Sequence, residues 1–301
     1  MYKESQIYKP FELAKVMDYK TISLYKYVSL DEPEVLKEKL RNYCEALDIL
    51  GRILLGKEGI NAAISGKKEN IEKFKQLLKK DKRLADLTFR ELEAEKNTYH
   101  KLVVRVRKEI VVFGKEVSFK NKAPYITPKK LKMLLDKKTD AILLDARNSY
   151  EIKLGKFKNA ITLPIETFRE FPEAIKKAKL PKNKPIISYC TGGIRCEKAA
   201  TYLKQQGFKE VYQLKGGIIQ YMNEFPNTYF EGNCFVFDDS LTPSLKVKPI
   251  TTCDICHATS DVMINCHNLE CDKLFICCPT CQTKTKKHCS PACEKAPRHR
   301  P

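Results

Sequence analysis

The position best placed to do chemistry in this 301-residue chain is Cys190, which opens the loop Cys190-Thr191-Gly192-Gly193-Ile194-Arg195. An apolar run over 185–189 leads into the loop, and a helix-patterned run over 197–206 leads out. A thiol at such a junction faces loop N–H groups and the positive end of a helix. Both favour a thiolate or another sulfur anion, a persulfide included. Gly192 and Gly193 permit the backbone angles that turn N–H groups inward. The spacing is Cys-x4-Arg. Phosphatases need the wider Cys-x5-Arg ring, so the loop length argues against phosphate transfer. Arg195 can stabilise an anionic sulfur or a substrate phosphate. Cys196 either resolves a modified Cys190 as a disulfide or lies silent beneath the helix.

Eight further cysteines could hold metal. Cys253/Cys256 and Cys278/Cys281 have the Cys-x2-Cys spacing of tetrahedral zinc ligands, with Cys266/Cys271 between them and Cys289/Cys293 after them. The expectation is two structural Zn²⁺ ions in an interleaved arrangement, the first and third pairs on one and the second and fourth on the other. Cys277 is then spare, and His267 and His288 are candidates to substitute. Redox-active or metal-free thiols are the alternative. A segment this short and this poor in apolar residues needs such staples to fold.

These residues must be positioned by three blocks, expected at 1–123, 124–241 and 242–301. In the first, strands over 21–29, 50–55, 61–65, 87–92 and 101–107 and helices over 31–47 and 67–80 give a β-α-β-β-α-β order, that of a ferredoxin-like sandwich. In the second, strands over 141–145, 161–164, 185–189 and 210–214 alternate with helices over 128–137, 168–179, 197–206 and 218–223. That alternation predicts a mostly parallel sheet covered on both faces, with Cys190 beyond a strand's carboxyl end, where ligand sites of such sheets lie. The third is the small cysteine-rich module.

The net charge of +19 is spread along the chain. Basic and acidic side chains number 27 and 19 over 1–123, 20 and 13 over 124–241, and 9 and 5 over 242–301. A polyanion lying across several blocks fits this, as does a generally lysine-rich composition. The start of the sequence lacks an apolar signal region, and no run of about 18 apolar residues suggests a membrane span. The expected location is cytoplasmic, where thirteen cysteines point to metal or catalysis rather than disulfides.

Residues 124–230 resemble a rhodanese domain. The resemblance rests on the Cys190 loop, on Leu144-Asp145-Ala146-Arg147 with Tyr150-Glu151 and Gly155-Lys156-Phe157-Lys158-Asn159-Ala160, and on Lys215-Gly216-Gly217-Ile218. Lys156 stands where that family usually has histidine. Asp145 and Arg147 are expected to brace the loop. The resemblance widens with Glu58-Gly59-Ile60-Asn61, Ile64-Ser65-Gly66, Arg107-Lys108-Glu109-Ile110-Val111, the run from Glu166 to Pro172 and the cysteine-rich end. The whole resembles the bacterial tRNA uridine hydroxylases, with Ala62-Ala63 where Gly-Thr is expected. That resemblance implies oxygen-dependent hydroxylation of the wobble uridine of tRNA to 5-hydroxyuridine, with molecular oxygen as co-substrate and Cys190 as the active-site cysteine.

The sequence carries no iron-binding His/carboxylate triad and no dinucleotide fingerprint, so no organic cofactor is expected. Contacts to the tRNA anticodon loop are expected from Lys57, Asn61, Arg105, Arg107 and Lys108. Plain turn chemistry is the alternative for the Lys57–Asn61 stretch. A sulfurtransferase moving persulfide sulfur, and a silent RNA-binding module, are the competing functions.

Overall fold

The computed structural model describes residues 17–236 and 247–300. The chain divides after Ile110 into two compact units. The boundary expected between residues 241 and 242 lies outside the described residues.

In the first unit, β1 (Tyr19–Tyr27), α1 (Pro33–Ala46), β2 (Leu50–Gly56), β3 (Gly59–Lys67), α2 (Lys68–Lys79), β4 (Arg90–Ala94) and β5 (Leu102–Val106) follow one another. The described strands form one sheet in the order β4-β1-β3-β2-β5. Alternation decides which way each strand faces. Ile22, Leu24, Ile53, Leu55, Ala62, Ile64 and Val104 point into a core closed by Leu40 and Cys44 of α1 and by Ile71, Phe74 and Leu78 of α2. This is the expected ferredoxin-like arrangement with an additional edge strand, because β5 runs parallel to β2. Pro33 opens α1, where its missing N–H costs nothing.

The second unit contains β6 (Tyr125–Ile126), α3 (Pro128–Asp136), β7 (Ile142–Asp145), α4 (Ser149–Leu154), β8 (Gly155–Phe157), α5 (Phe171–Lys177), β9 (Ile186–Tyr189), α6 (Ile194–Gln205), β10 (Val211–Leu214), α7 (Gly217–Glu224) and β11 (Phe230–Gly232). Parallel pairings order the sheet β6-β10-β9-β7. Both faces are covered, as the alternation predicts. Phe171 and Ile175 of α5 and Ala199, Ala200 and Leu203 of α6 pack on one side. Leu131 of α3 and Ile218, Tyr221 and Met222 of α7 pack on the other.

Four local expectations change. Residues 161–164 form only a bridge from Ile161 to Leu144, not a strand. The helix expected from 168 starts as a single 3₁₀ turn, and Pro172 in the first turn sets the true helix start at Phe171. The helix expected from 197 starts at Ile194, so Arg195 and Cys196 lie in its first turn rather than in a loop. Helix α4 has no counterpart among the elements that the sequence pattern predicts. It is six residues long, and its start is held by the Asn148 N–H, which donates to the Glu151 carboxylate at 3.1 Å.

The remaining described residues carry the hairpin β12 (Met263–Asn265) and β13 (Leu274–Ile276), then α8 (Pro279–Lys284) and α9 (Pro291–Glu294). Among the described residues no helix is long and apolar enough to cross a membrane.

Candidate functional site

Cys190 follows β9 directly and is 1% exposed. Gly193 caps α6 with φ of +100°, a left-handed conformation that favours glycine. That turn aims the Gly193 N–H at the Cys190 Sγ, 3.0 Å away. Helix α6 then starts beneath the sulfur and presents its positive end to it. Burial opposes ionisation of Cys190. A hydrogen bond from the Cys196 thiol, the Arg195 guanidinium, and the N–H groups of Gly193 and Cys196 outweigh it and bring the Cys190 pKa down to about 5. Cys196 is fully buried, with its sulfur 3.6 Å from the Ser188 hydroxyl. Burial first, then the neighbouring Cys190 sulfur, push the Cys196 thiol well up, so it keeps its proton and donates.

The outer side of the loop is gripped by α7. Ile218 N–H donates to the Cys190 carbonyl at 3.0 Å, and Ile219 N–H to the Thr191 carbonyl at 3.2 Å. With those carbonyls held outward, the loop N–H groups are left for the sulfur. Gly217 makes this approach possible. At φ +66° an added Cβ would lie 2.5 Å from the Cys190 oxygen and 2.6 Å from the Thr191 oxygen. The Lys215–Ile218 signature therefore has a steric reason.

Arg195 does not point freely into a cleft. It is 7% exposed and makes a bidentate pair with Glu151, with Nη2 to Oε1 at 2.7 Å and Nη1 to Oε2 at 2.5 Å. The Thr191 hydroxyl also donates to Glu151, at 3.3 Å. Burial raises the Glu151 pKa, but Arg195 outweighs it and holds the group ionised. Glu151 is fully buried; the sequence marks it only as part of the rhodanese resemblance and gives it no role. Its signal is the Asn148-x-x-Glu151 capping pattern directly after Asp145-x-Arg147. Asp145 and Arg147 form a second, fully buried pair with Nη2 to Oδ2 at 2.7 Å, and Arg147 also donates to the Gly155 carbonyl at 2.7 Å. Their bracing is indirect. They tie the end of β7 to the start of β8, and Ala146 N–H holds the Tyr189 carbonyl just before Cys190 at 2.9 Å.

Helix α4, which carries Glu151, is seated by the C-terminal residues. Leu154 shares a buried cluster with Phe235, Met263 and Ile276, and Tyr150 meets Phe235 edge-on at 5.3 Å. Lys153 pairs with Asp254 at 2.8 Å, and Asn233 N–H donates to the Leu154 carbonyl.

The cysteines gather as the spacing predicts. Cys253, Cys256, Cys278 and Cys281 form one cluster and Cys266, Cys271, Cys289 and Cys293 the other, with the sulfurs of each within 4.8 Å of one another. Sulfur separations of 3.6 Å for Cys256–Cys278 and 3.7 Å for Cys271–Cys289 and Cys289–Cys293 match the roughly 3.8 Å edge of a tetrahedron with metal–sulfur bonds near 2.3 Å. The two centres repeat one outer contact: Cys278 N–H to the Cys253 sulfur and Cys289 N–H to the Cys266 sulfur, both at 3.5 Å. His267 and His288 join neither cluster. His288 is engaged through Nδ1 with the Thr285 carbonyl at 3.0 Å and packs on the His299 ring. Cys277 is buried outside both clusters.

Of the residues expected to touch tRNA, Lys57, Arg107 and Lys108 line one groove with the start of α1, a cavity of about 680 Å³. Arg105 lies exposed on the sheet. The Asn61 amide donates to the Ile110 carbonyl at 3.1 Å, so its visible role is to fix the chain.

The sequence matches a UPF0176 acylphosphatase-like domain over residues 19–110, a rhodanese-like domain over 127–224 and a rhodanase C-terminal domain over 231–294. The tRNA uridine(34) hydroxylase of Cytophaga hutchinsonii is 39% identical over 289 residues, covering 94% of this chain and 92% of that protein. The protein of the same name from Chlamydia felis is 37% identical, covering 94% and 89%. That from Protochlamydia amoebophila is 35% identical, covering 96% and 92%.

Three outcomes are expected from this geometry. Alkylation of Cys190, followed by peptide-resolved mass spectrometry, stays fast down to about pH 5 and falls below it, because the thiolate persists above its pKa of about 5. Glu151→Gln leaves Arg195 buried without its counter-ion; chemical denaturation should show a loss of about 3–5 kcal/mol. Gly217→Ala should slow Cys190 alkylation and lower stability by at least about 1–2 kcal/mol from the positive φ alone.

Proposed function

The chain belongs to the tRNA uridine(34) hydroxylase family, and on that premise we propose that it hydroxylates carbon 5 of the wobble uridine of tRNA with Cys190 as the reacting group. Molecular oxygen is the co-substrate in this reading, and the site of action is the cytoplasm. The observation that carries it is a buried, charge-compensated thiolate in a chain that aligns almost end to end with hydroxylases of that name. The loop N–H groups hold negative charge on Cys190, or on the terminal sulfur if Cys190 carries a persulfide. Arg195 adds positive charge while Glu151 keeps its guanidinium in place. Asp145 and Arg147 support the end of the neighbouring strand.

Lys57, Arg105, Arg107 and Lys108 are assigned to the tRNA backbone, where each cation releases counter-ions from the polyanion. Asn61 positions the segment that carries Arg107 and Lys108.

Each four-cysteine cluster is assigned one Zn²⁺. All-thiolate donors, tetrahedral spacing and N–H···S contacts suit a closed structural site. Zinc would supply no chemistry there. It would lock the segment that bears the β12–β13 hairpin, and that hairpin supports α4 and Glu151.

The rhodanese-type loop also favours a second reading, transfer of persulfide sulfur from a donor such as thiosulfate. Nucleoside mass spectrometry of tRNA from cells lacking the gene separates the two. Loss of 5-hydroxyuridine-type nucleosides is expected; unchanged levels together with active thiosulfate-to-cyanide transfer would favour the sulfurtransferase. For the metal, purified protein should carry about two zinc equivalents. Chelation should slow alkylation of the Cys190 peptide at pH 6 as α4 loses its seat. An unaltered rate would separate the metal centres from the active loop.

A further inference from the structure

The run from Glu166 to Pro172 is explained by folding only in part. Phe168 and Phe171 pack against Phe113 in the buried cluster that also holds Cys190 and Cys196. Pro172 sits in the first turn of α5. Glu170 closes its own turn, accepting from the Glu166 N–H at 3.1 Å and from the Thr167 hydroxyl at 2.8 Å. Arg169 has no such duty. It is exposed, and among the described residues its guanidinium has no hydrogen bond or ion pair. The chain nevertheless makes room for its stem. Gly114 stands at φ +75°, and an added Cβ there would lie 2.9 Å from Cγ of Arg169 and 3.7 Å from its Cδ. A long side chain laid along a fixed seat loses rotamer freedom. No partner of the guanidinium among the described residues offsets that loss.

Topology places this run at the reacting end of the sheet. Ile161 bridges Leu144 in parallel, and β7 runs parallel to β9. Residues that follow Ile161 therefore leave the sheet at the end where Cys190 follows β9. There the Ile165 carbonyl accepts from both the N–H and the hydroxyl of Ser149, at 2.8 and 2.9 Å, which ties the run to the start of α4. The nearby carboxylates do not answer Arg169. Asp145 and Glu151 are buried against Arg147 and Arg195, and Glu170 is occupied within its turn. Glu166 is exposed and makes no ion pair with Arg169.

We propose that Arg169 is a substrate-binding residue of the Cys190 site, its guanidinium clamping a phosphate of the tRNA anticodon loop and so holding the wobble nucleotide at the carboxyl end of this sheet. The proposal rests on the tRNA reading above. It adds a contact made by the second unit itself, whereas the cations already assigned to the tRNA backbone all belong to the first. A permanently charged, planar fork matches two oxygens of one phosphate at once. A stem seated by Gly114 fixes where that fork can point, which suits a contact that must set the position of a base rather than merely attract a polyanion.

The test uses full-length protein and a synthetic anticodon stem-loop RNA, with affinity measured by fluorescence anisotropy over a range of salt. Arg169→Gln should bind about fivefold or more weakly, and its log–log salt slope should shrink by about 0.7, the value for one cation on a single strand. Arg169→Lys should keep the wild-type slope yet bind more weakly, since it keeps the charge and loses the fork. Lys209→Gln is the control. It removes an exposed cation just before β10, at the opposite end of the sheet, and should leave the slope unchanged. At saturating RNA the stem-loop should shield Cys190 from alkylation in the wild type and shield it less in Arg169→Gln. Circular dichroism checks the fold of each variant; should Arg169→Gln misfold, the affinity of Arg169→Lys decides. An Arg169 variant that binds and shields like wild type, or loses no more than Lys209→Gln, overturns the proposal and leaves the tRNA reading intact. Unchanged stem-loop binding with reduced thiosulfate-to-cyanide transfer in Arg169→Gln would assign the guanidinium to a small anion and also overturn it. A wild-type protein that does not hold the stem-loop refutes the tRNA reading and the proposal together.

Discussion

A negative sulfur buried to 1% exposure is the constraint around which the second unit is arranged. Burying an unpaired charge is costly, and the ordinary outcome is that the group takes up a proton and becomes neutral. Here compensation is built in layers. The Gly193 N–H, the end of α6 and the Cys196 thiol act on the sulfur directly. Arg195 adds a full charge, which is itself buried and therefore needs Glu151. Glu151 in turn needs α4, a helix of six residues that is too short to stand alone and is seated by Phe235, Met263 and Ile276. The reactivity of one cysteine thus depends on residues far along the chain.

Much of this was legible in the sequence because it is local. A buried-type strand, a glycine turn and a helix fix the place of Cys190 within some twenty residues. The interleaving of the tail cysteines could be read because paired short spacings leave few ways to close two tetrahedra, and the sulfurs gather accordingly. What escaped depends on tertiary contact. Glu151 reads as a capping carboxylate, and its partner lies 44 residues away. The pattern puts the start of α6 three residues late, because Ile194, Arg195 and Cys196 read as loop chemistry when they form the first helical turn. Residues 161–164 have strand composition, yet only Ile161 finds a partner. His267 and His288 have ligand chemistry at the right spacing, but the cysteines complete both clusters without them.

The two units use charge in opposite ways. In the second, two buried arginines are each matched with a carboxylate, Arg147 with Asp145 and Arg195 with Glu151. Such pairs hold geometry rather than attract ligands. In the first, Arg52 and Arg105 stay exposed on strands that carry no carboxylate. Exposed cations add little to stability but much to the capture of a polyanion. An uneven distribution of this kind suits an enzyme whose substrate is large and whose reacting atom is small.

The central claim is that oxygen-dependent hydroxylation of the wobble uridine of tRNA depends on Cys190, held as a thiolate by this layered compensation. The most direct measurement is the 5-hydroxyuridine content of tRNA in cells lacking the gene and supplied with either the wild-type protein or Cys190→Ala, each shown to be folded and equally abundant. The account predicts that the wild type restores the modification and that Cys190→Ala restores none. Restoration by Cys190→Ala to the wild-type level would contradict it.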